Sequence, residues 1–352
     1  MTTIQRDTGP TPPPSLAATM ADAGWLAHRY DPEQDAVHFL PVSRDTHRTA
    51  TFLTDDYLPA GHHPFVVRRK DAIAATPPGA RLHFIFHSAY CCSTLLARAM
   101  DRPGWGMGLK EPVILNDIVG WRRRGGKGPD MAEVLDDMLA MLARPFAPGE
   151  AVVVKPSTIV NSLAFAMLTL RPESCAILLY APLPTFLGSI AKKGIDGRLW
   201  VRTLLTGMLD DKVIDLGFAP RDYVGHTDLQ AAAVCWLAHQ KMFASLVERF
   251  GEARVRTLDS ATLMAEPAAA IALMAKLFGR PLDKAAVEEI VAGPAFRTHS
   301  KSGDVFDSAD RAVEHRDAAK IHADEIDKVI IWATAVAANA GVSLTPPGAL
   351  LT

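Results

Sequence analysis

Eight residues near the end of the first quarter of the chain carry side chains suited to holding a phosphate or sulfate group. Residues 87–94 are His-Ser-Ala-Tyr-Cys-Cys-Ser-Thr, and they directly follow an apolar run over residues 82–86. This order predicts a buried strand, a tight loop and a helix that begins at Ser93 or Thr94. Such a loop aims backbone N–H groups and the positive end of the helix dipole at one point, where an oxyanion is stabilised. The hydroxyl of Ser88 adds a donor. The alternative is an ordinary strand-to-helix turn that happens to be rich in Ser and Cys.

A repeated alternation of strands and helices places this loop in an α/β domain. Short, uniformly apolar strands are predicted at residues 82–86, 151–154, 175–180 and 255–258. Helices are predicted at residues 94–101, 131–143, 159–170, 185–192, 198–210 and 227–250, with a loop over 121–129. This pattern favours a three-layer fold, in which a central parallel sheet is flanked by helices. Ligands of such sheets bind beyond the carboxyl ends of the strands, so residues 87–94, 155–157 and 181–184 are expected to face one crevice.

Composition limits the class of protein. Of the 352 residues, 49% are hydrophobic and 22% are charged, which is enough for a large core and a charged surface. The formal net charge of −2 argues against bulk nucleic-acid binding. Four cysteines without a CxxC spacing indicate neither a zinc site nor a disulfide framework, and no apolar run reaches the length of about 20 residues that a membrane span needs. We therefore expect a cytoplasmic protein with no nucleic-acid partner, no membrane partner and no metal.

The chain divides into three parts. Residues 1–15 are polar and rich in Thr and Pro, which predicts disorder and does not resemble a signal peptide. Residues 16–78 are expected to form a small N-terminal extension with one short helix and extended segments at 37–40 and 50–53. Residues 79–352 form the α/β domain. The extension matches no motif, and we expect it to shape an acceptor pocket or a contact between copies of the chain.

Two familiar uses of such a loop do not fit. The nucleotide-kinase pattern G-x-x-x-x-G-K-[ST] would place glycines at His87 and Cys92 and lysine at Ser93, so only Thr94 matches. A cysteine phosphatase would use Cys91 or Cys92 as a thiolate of low pKa at the helix N-terminus. That chemistry also needs an arginine within the loop, and residues 87–94 contain none.

The ordered motifs of residues 82–300 resemble those of the sulfotransferases. Residues 90–96, Tyr-Cys-Cys-Ser-Thr-Leu-Leu, lie over that family's phosphosulfate loop, [RK]-S-G-T-T-L-L. Residues 109–112, Leu-Lys-Glu-Pro, are similar to its Gly-Glu-Pro element, and residues 180–189 lie over its 3′-phosphate element, R-x-P-x-D-x-x-x-S. Residues 255–259, 263–267 and 277–279 are similar to its C-terminal strand, acidic-Pro helix start and Leu-Gly turn. The resemblance implies a P-loop-type α/β fold and 3′-phosphoadenosine 5′-phosphosulfate (PAPS) as donor.

Departures from the family pattern fall on its charged contacts. Tyr90 replaces the basic residue of the first loop and Cys92 replaces its glycine, while Tyr180 or Ala181 stands in place of the arginine of the second element. Ser189 lies one residue further along than the pattern requires. Because a hydrogen bond to a charged group is worth about 1.5–3 kcal/mol, other cations are needed. The candidates are Lys155 at a strand end, Lys192, Lys193, Arg198 and Arg202 after Ser189, and a late basic segment with Arg297, His299 and Lys301.

Sulfuryl transfer to a small-molecule hydroxyl or amine needs a base and cations. The resemblance implies Glu111 as the base. His87 is its rival because it lies at the mouth of the loop, and Lys155, at a strand end in the predicted crevice, is the expected cation for the departing phosphate. The residues expected to bind the donor are Ser88, Ala89, Tyr90, Cys91, Cys92, Ser93, Thr94, Ser189, Arg198, Arg297 and Lys301. The alternatives are an anion- or nucleotide-binding protein of the same fold without catalysis and a divergent P-loop phosphotransferase.

Overall fold

The computed structural model describes residues 15–61, 63–126, 128–297 and 308–351. The strands are β1 (Trp25–Asp31), β2 (Ala36–Pro41), β3 (Phe65–Arg68), β4 (Leu82–His87), β5 (Gly106–Lys110), β6 (Ala151–Lys155), β7 (Ala176–Tyr180) and β8 (Val255–Asp259). The helices up to α8 are α1 (Leu16–Ala21), α2 (Arg44–Thr49), α3 (Arg69–Ala75), α4 (Ser93–Ala99), α5 (Ile114–Arg123), α6 (Gly128–Leu142), α7 (Ala164–Leu170) and α8 (Leu183–Lys192). The remaining helices are α9 (Gly194–Asp210), α10 (Asp228–Phe250), α11 (Ser260–Ala265), α12 (Pro267–Leu277), α13 (Lys284–Ala292), α14 (Pro294–Arg297) and α15 (Ser308–Asn339), and the 3₁₀ segments are Thr158–Leu163 and Pro220–Gly225.

The predicted parallel sheet is confirmed, with the strand order β5-β6-β4-β7-β8. Phe84 in the middle of β4 pairs with Val154 on one side and with Ala176 on the other. Every residue of β4, β5, β6 and β7 is buried, because helices cover both faces of the sheet. The chain leaves β4 towards β5 and β6 and later crosses to β7 and β8, which opens a crevice at the carboxyl end of β4.

The longest fully described helix, α10, fastens the far half of the sheet. Thr227 and Gln230 form a capping box at its start, and the Trp236 side chain lies in the core. The Trp236 Nε1–H donates to the carbonyl of Ala181, directly after β7, over 2.8 Å. The strand end is thereby held in place beside the crevice.

The extension forms a second, antiparallel sheet in the order β1-β2-β3. The sequence predicted an extended segment at 37–40, which lies in β2, but it missed β1 and β3. A register shift between Ala27 and Arg29 breaks the alternation of β1, and β3 has only four residues. The second expected extended segment, 50–53, is a run of bends and turns rather than a strand.

The loop expected over residues 121–129 is shorter in the structure. Residues 121–123 form the last turn of α5. Arg122 and Arg123 both form ion pairs with Asp211, at 2.5 and 2.8 Å. Cations are favoured at a helix C-terminus, and the buried carboxylate of Asp211 fixes them there. Among the described helices, none has the length and apolarity to cross a bilayer.

Three arginines, of which Arg144 is fully buried, join the extension to the α/β domain. Arg29 donates to both carboxylate oxygens of Asp117 at 2.9 and 2.8 Å, and Arg44 donates to Glu150 at 2.8 Å. Arg144, after α6, is buried among backbone carbonyls. Its guanidinium donates to the carbonyls of Thr19, Met20, Asp22 and Trp25, as well as to that of Met141.

We expect Arg144→Gln to destabilise the protein by about 3–5 kcal/mol, because several buried carbonyls would lose their donor at about 1–3 kcal/mol each. The measurement is the free energy of unfolding from urea titration. Arg68→Gln is the control, because Arg68 is exposed and should change stability by no more than about 0.5 kcal/mol. Equal effects of the two substitutions would show that the carbonyl cluster contributes nothing.

Candidate functional site

The loop between β4 and α4 holds three left-handed residues, none of which is glycine. Ala89, Tyr90 and Cys92 have φ values of 68°, 51° and 65°, in the region that glycine favours. Cys92 is followed directly by the right-handed first turn of α4, and nests that bind phosphate combine residues of these two conformations. Holding a residue other than glycine in this conformation costs about 1 kcal/mol or more, so the surrounding structure must impose it.

His87 and its neighbours impose this conformation. The His87 Nδ1 accepts from the Ala89 N–H at 3.1 Å, and its Nε2 donates to the Pro156 carbonyl at 3.0 Å. Asn161 Nδ2 donates to the His87 carbonyl at 2.8 Å, and the Ser88 N–H donates to the Leu179 carbonyl at 3.0 Å. The loop is thus tied to segments that follow or end both neighbouring strands. His87, expected as a rival base, has both ring nitrogens engaged in positioning the loop.

The predicted donors of the loop divide into two groups. Ser88 Oγ accepts from the Ala181 N–H and lies near the Ala89 carbonyl, both at 3.4 Å, so this hydroxyl closes the loop itself. Ser93 and Thr94 are buried in the first turn of α4, where the helix supplies no acceptors for the backbone N–H groups. The Tyr90 ring packs edge-on against Phe186 and Trp200, with centroids at 6.0 and 5.2 Å. The tyrosine ring therefore packs among aromatic side chains at the position where the motif resemblance implied a cation.

The cysteine-thiolate hypothesis is wrong for Cys91. Its thiol is buried and lies 3.4 Å from the Leu179 carbonyl, as a donor to that oxygen. Burial raises the pKa of Cys91 to about 12, although the nearby charge of Lys155 acts in the opposite direction. A protonated thiol is a poor nucleophile. Lys155 ends β6, the strand that pairs with β4, so its backbone lies at the edge of the sheet where the loop begins.

Lys155 and Glu111 form an ion pair at the carboxyl ends of β5 and β6. Lys110 pairs with Lys155 in register, and the Glu111 N–H donates to the Lys155 carbonyl at 2.6 Å. Lys155 is buried, and its Nζ donates to Glu111 Oε1. Glu111 has a φ of 54°, another left-handed residue that is not glycine. Two candidates predicted from separate motifs are therefore in direct contact beside the loop.

A wall of the site comes from the extension. The Leu53 N–H donates to the Lys110 carbonyl at 2.7 Å, and the Val113 N–H donates to the Leu53 carbonyl at 3.2 Å. These bonds place the ring of Phe52 with its centroid 5.0 Å from Lys155 Nζ, a cation–π contact. Tyr57, which is about half exposed, packs edge-on against Phe52. No local signal in the sequence could have revealed Phe52, because its role depends on a contact with distant strands.

Three other residues named as binding or cation candidates contact partners outside the loop. Ser189 Oγ donates to the Thr185 carbonyl in its own helix, and Arg198 pairs with Glu325 at 3.1 Å and with Asp228 at 3.7 Å. Arg202 pairs with Asp228 at 2.7 Å. Arg297 is exposed at the end of α14, a helix that packs against α4. Lys301 and His299 lie outside the described residues.

The whole chain was compared with protein-family models, curated proteins and solved structures. No protein-family model and no curated protein matches it. Among solved structures, it is similar to the sulfotransferase domain of the Synechococcus PCC 7002 olefin synthase, with 11% identity over 67% of this chain and 84% of that one and a TM-score of 0.37. It is similar to the sulfotransferase STF1 of Mycobacterium tuberculosis H37Rv, with 12% identity over 62% and 72% and a TM-score of 0.37. It is also similar to the sulfotransferase STF9 of Mycobacterium avium, with 14% identity over 72% and 77% and a TM-score of 0.39.

The identities and TM-scores are low, so the case for a function rests on this chain's own residues. Within the described part of the chain, no group of three or more His, Cys, Asp or Glu side chains is arranged to hold a metal ion.

We expect Cys92→Gly to raise the free energy of unfolding by about 0.5–1 kcal/mol, because glycine adopts the left-handed conformation without strain. Cys175→Gly is the matched control, a half-buried cysteine without a positive φ, and it should lower stability. Urea titration of both variants measures the difference. Destabilisation of similar size in both would contradict a strained loop.

Proposed function

We propose that the protein transfers a sulfuryl group from PAPS to a small-molecule hydroxyl or amine. The observation that carries this proposal is the nest-like loop at the carboxyl end of the central strand, with the buried Lys155–Glu111 pair beside it. An anion cradle, a cation and a carboxylate that meet at one point are the parts that this reaction needs.

The 5′-phosphosulfate of the donor fits the loop. Backbone N–H groups of the loop and first turn of α4, together with the hydroxyls of Ser93 and Thr94, would surround its oxygens, and Lys155 would balance its charge. The 3′-phosphate has fewer evident partners, because Arg198 is paired with carboxylates and Ser189 with its own helix. Arg297, at the end of a helix that packs against α4, and Lys301 are the candidates for it.

The ion pair suggests how proton transfer and departure of the leaving group are coupled. The acceptor oxygen or nitrogen attacks sulfur as the bond from sulfur to the bridging 5′-phosphate oxygen breaks. Glu111 takes the acceptor proton and becomes neutral. The charge of Lys155 is then no longer balanced, and it stabilises the new negative charge on the departing 3′-phosphoadenosine 5′-phosphate. The acceptor would approach along the wall formed by Phe52 and Tyr57.

Binding of 3′-phosphoadenosine 5′-phosphate is expected to respond in opposite directions to removal of the two charges. Lys155→Met should weaken binding about tenfold or more, because one charged contact is lost. Glu111→Gln should strengthen it, because a competing negative charge is removed while the side chain keeps its size. Isothermal titration calorimetry measures both affinities.

Lys241→Met is the control, since this lysine pairs with Asp215 on a distant surface and should leave the affinity unchanged. Adenosine 5′-phosphate, titrated alongside, reports whether the 3′-phosphate contributes. Absence of bisphosphate binding by the unaltered protein would exclude PAPS as donor. Binding of ATP only with magnesium would favour a phosphotransferase instead.

Transfer itself is tested with ³⁵S-labelled PAPS and a panel of phenols, aliphatic alcohols and amines. Glu111→Gln should lower kcat about 100-fold or more, as expected for loss of a general base, while bisphosphate binding persists. Retention of full activity by Glu111→Gln would remove Glu111 from the mechanism. Tight bisphosphate binding without transfer to any acceptor class would favour the non-catalytic alternative.

A further inference from the structure

The antiparallel sheet of the extension ends at an uncovered edge strand, β3. The other edge strands of the two sheets have partners. At β1, the Tyr30 N–H donates to the Asp117 carboxylate at 2.9 Å. The Lys110 carbonyl of β5 accepts from the Leu53 N–H at 2.7 Å, and β8 exchanges hydrogen bonds with residues 348–350. Within the described part of the chain, β3 has a strand on one side only, β2.

The pairing with β2 determines which backbone groups of β3 point outward. One residue beyond β3, the Arg69 N–H donates to the Asp35 carbonyl at 2.8 Å, so these two residues form a hydrogen-bonded pair of the antiparallel ladder. Hydrogen-bonded pairs alternate with pairs that are not bonded, so the backbone groups of Val66 and the N–H of Arg68 face away from β2. The Pro64 carbonyl also faces away, because in a trans peptide it points opposite to the N–H of the next residue.

These outward groups form an incomplete pattern of donors and acceptors. Val66 offers both an N–H and a carbonyl. Arg68 offers only its N–H, because its carbonyl accepts the first hydrogen bond of α3. Pro64 offers only its carbonyl, since proline has no N–H. None of the four groups has a backbone partner among the residues that the structure describes.

A second copy of β3 completes this pattern. Antiparallel pairing about a twofold axis at Val66 places Val66 opposite the same residue of the other copy and Arg68 opposite Pro64. Each Val66 N–H then donates to the other Val66 carbonyl, and each Arg68 N–H donates to a Pro64 carbonyl. An unrelated extended peptide would instead present an N–H to the occupied Arg68 carbonyl and a carbonyl to the proline nitrogen, and both would stay unpaired.

The side chains of β3 suit the same arrangement. Val66 is 47% exposed, and Phe65 and Val67 are half-buried. In the twofold pairing, Phe65 of each copy lies opposite Val67 of the other, and pairs of an aromatic and a β-branched residue stabilise neighbouring strands. A groove of about 580 Å³, lined by β3 with Leu16 of α1 and Ala74 of α3, leaves room beside these side chains.

We propose that two copies of the protein associate through β3, so that their extensions form one continuous six-stranded sheet. The contact is isologous and closes at two copies, because α3 begins directly after β3 and Pro64 precedes it. So short a strand buries little surface, which gives a weak dimer. The proposal does not depend on sulfuryl transfer, because the loop belongs to the other sheet.

Sedimentation equilibrium of the full chain, over about a hundredfold range of concentration, tests the proposal. We expect the weight-average mass to rise from that of one chain towards that of two, without larger species. A single chain at every concentration, or growth beyond two chains, overturns the proposal.

Arg68→Pro should raise the dissociation constant of the dimer about tenfold or more, because each copy loses the N–H that faces Pro64. The φ of Arg68, −56°, accepts proline without strain, so the monomer keeps its fold. Arg68→Gln is the matched control, because it removes the same charge and keeps the N–H, and it should leave the constant unchanged. Equal dissociation constants for the two variants would show that the edge of β3 is not the contact.

Charge pairs test the position of the twofold axis. Val66→Lys and Val66→Glu should each prevent association, because two like charges would lie directly opposite each other. An equimolar mixture of the two variants should associate again, since opposite charges then meet across the axis. A general loss of folding cannot produce this recovery. A mixture that associates no better than its separate components overturns pairing at Val66.

Discussion

The pairing of β4 with strands on both sides is the constraint on which the rest of the structure depends. Because β4 lies between β6 and β7, its carboxyl end is bounded by the turns that follow both neighbours. His87 uses one turn as a hydrogen-bond acceptor through Pro156, and Ser88 uses the end of β7 through Leu179. The backbone of the loop is therefore determined from outside the loop, by the geometry of the sheet.

This dependence explains how the left-handed residues of the loop are held without glycine. In a glycine-rich loop, the left-handed conformations carry little intrinsic cost. Here Ala89, Tyr90 and Cys92 adopt them, and the compensating free energy comes from buried hydrogen bonds and from packing of the Tyr90 ring between Phe186 and Trp200.

The distribution of cations separates structural roles from binding roles. Arg29, Arg44, Arg144 and Arg198 have carboxylates or backbone carbonyls as partners, and they join segments that are distant in the chain. Lys155 differs from these. It lies at the edge of the sheet where the loop begins, and its one carboxylate partner among the described residues, Glu111, is itself a candidate for catalysis.

The amino-acid sequence alone predicted four of the five parallel strands and the loop after β4, because uniformly apolar runs and small polar loops are local signals, but it missed β5. Lys155 was a candidate because of its place at a strand end, and Glu111 because of the motif resemblance. Which candidates come into contact depended on the tertiary fold. Lys155 and Glu111 are 44 residues apart and become an ion pair because β5 and β6 are neighbours. Phe52 contacts Lys155 because its neighbour Leu53 is hydrogen-bonded to the end of β5. Arg198 forms ion pairs with Asp228 and Glu325 instead of contacting the loop. Such contacts depend on the packing of distant segments, and the periodicity of one segment carries no information about the partner that another segment will bring.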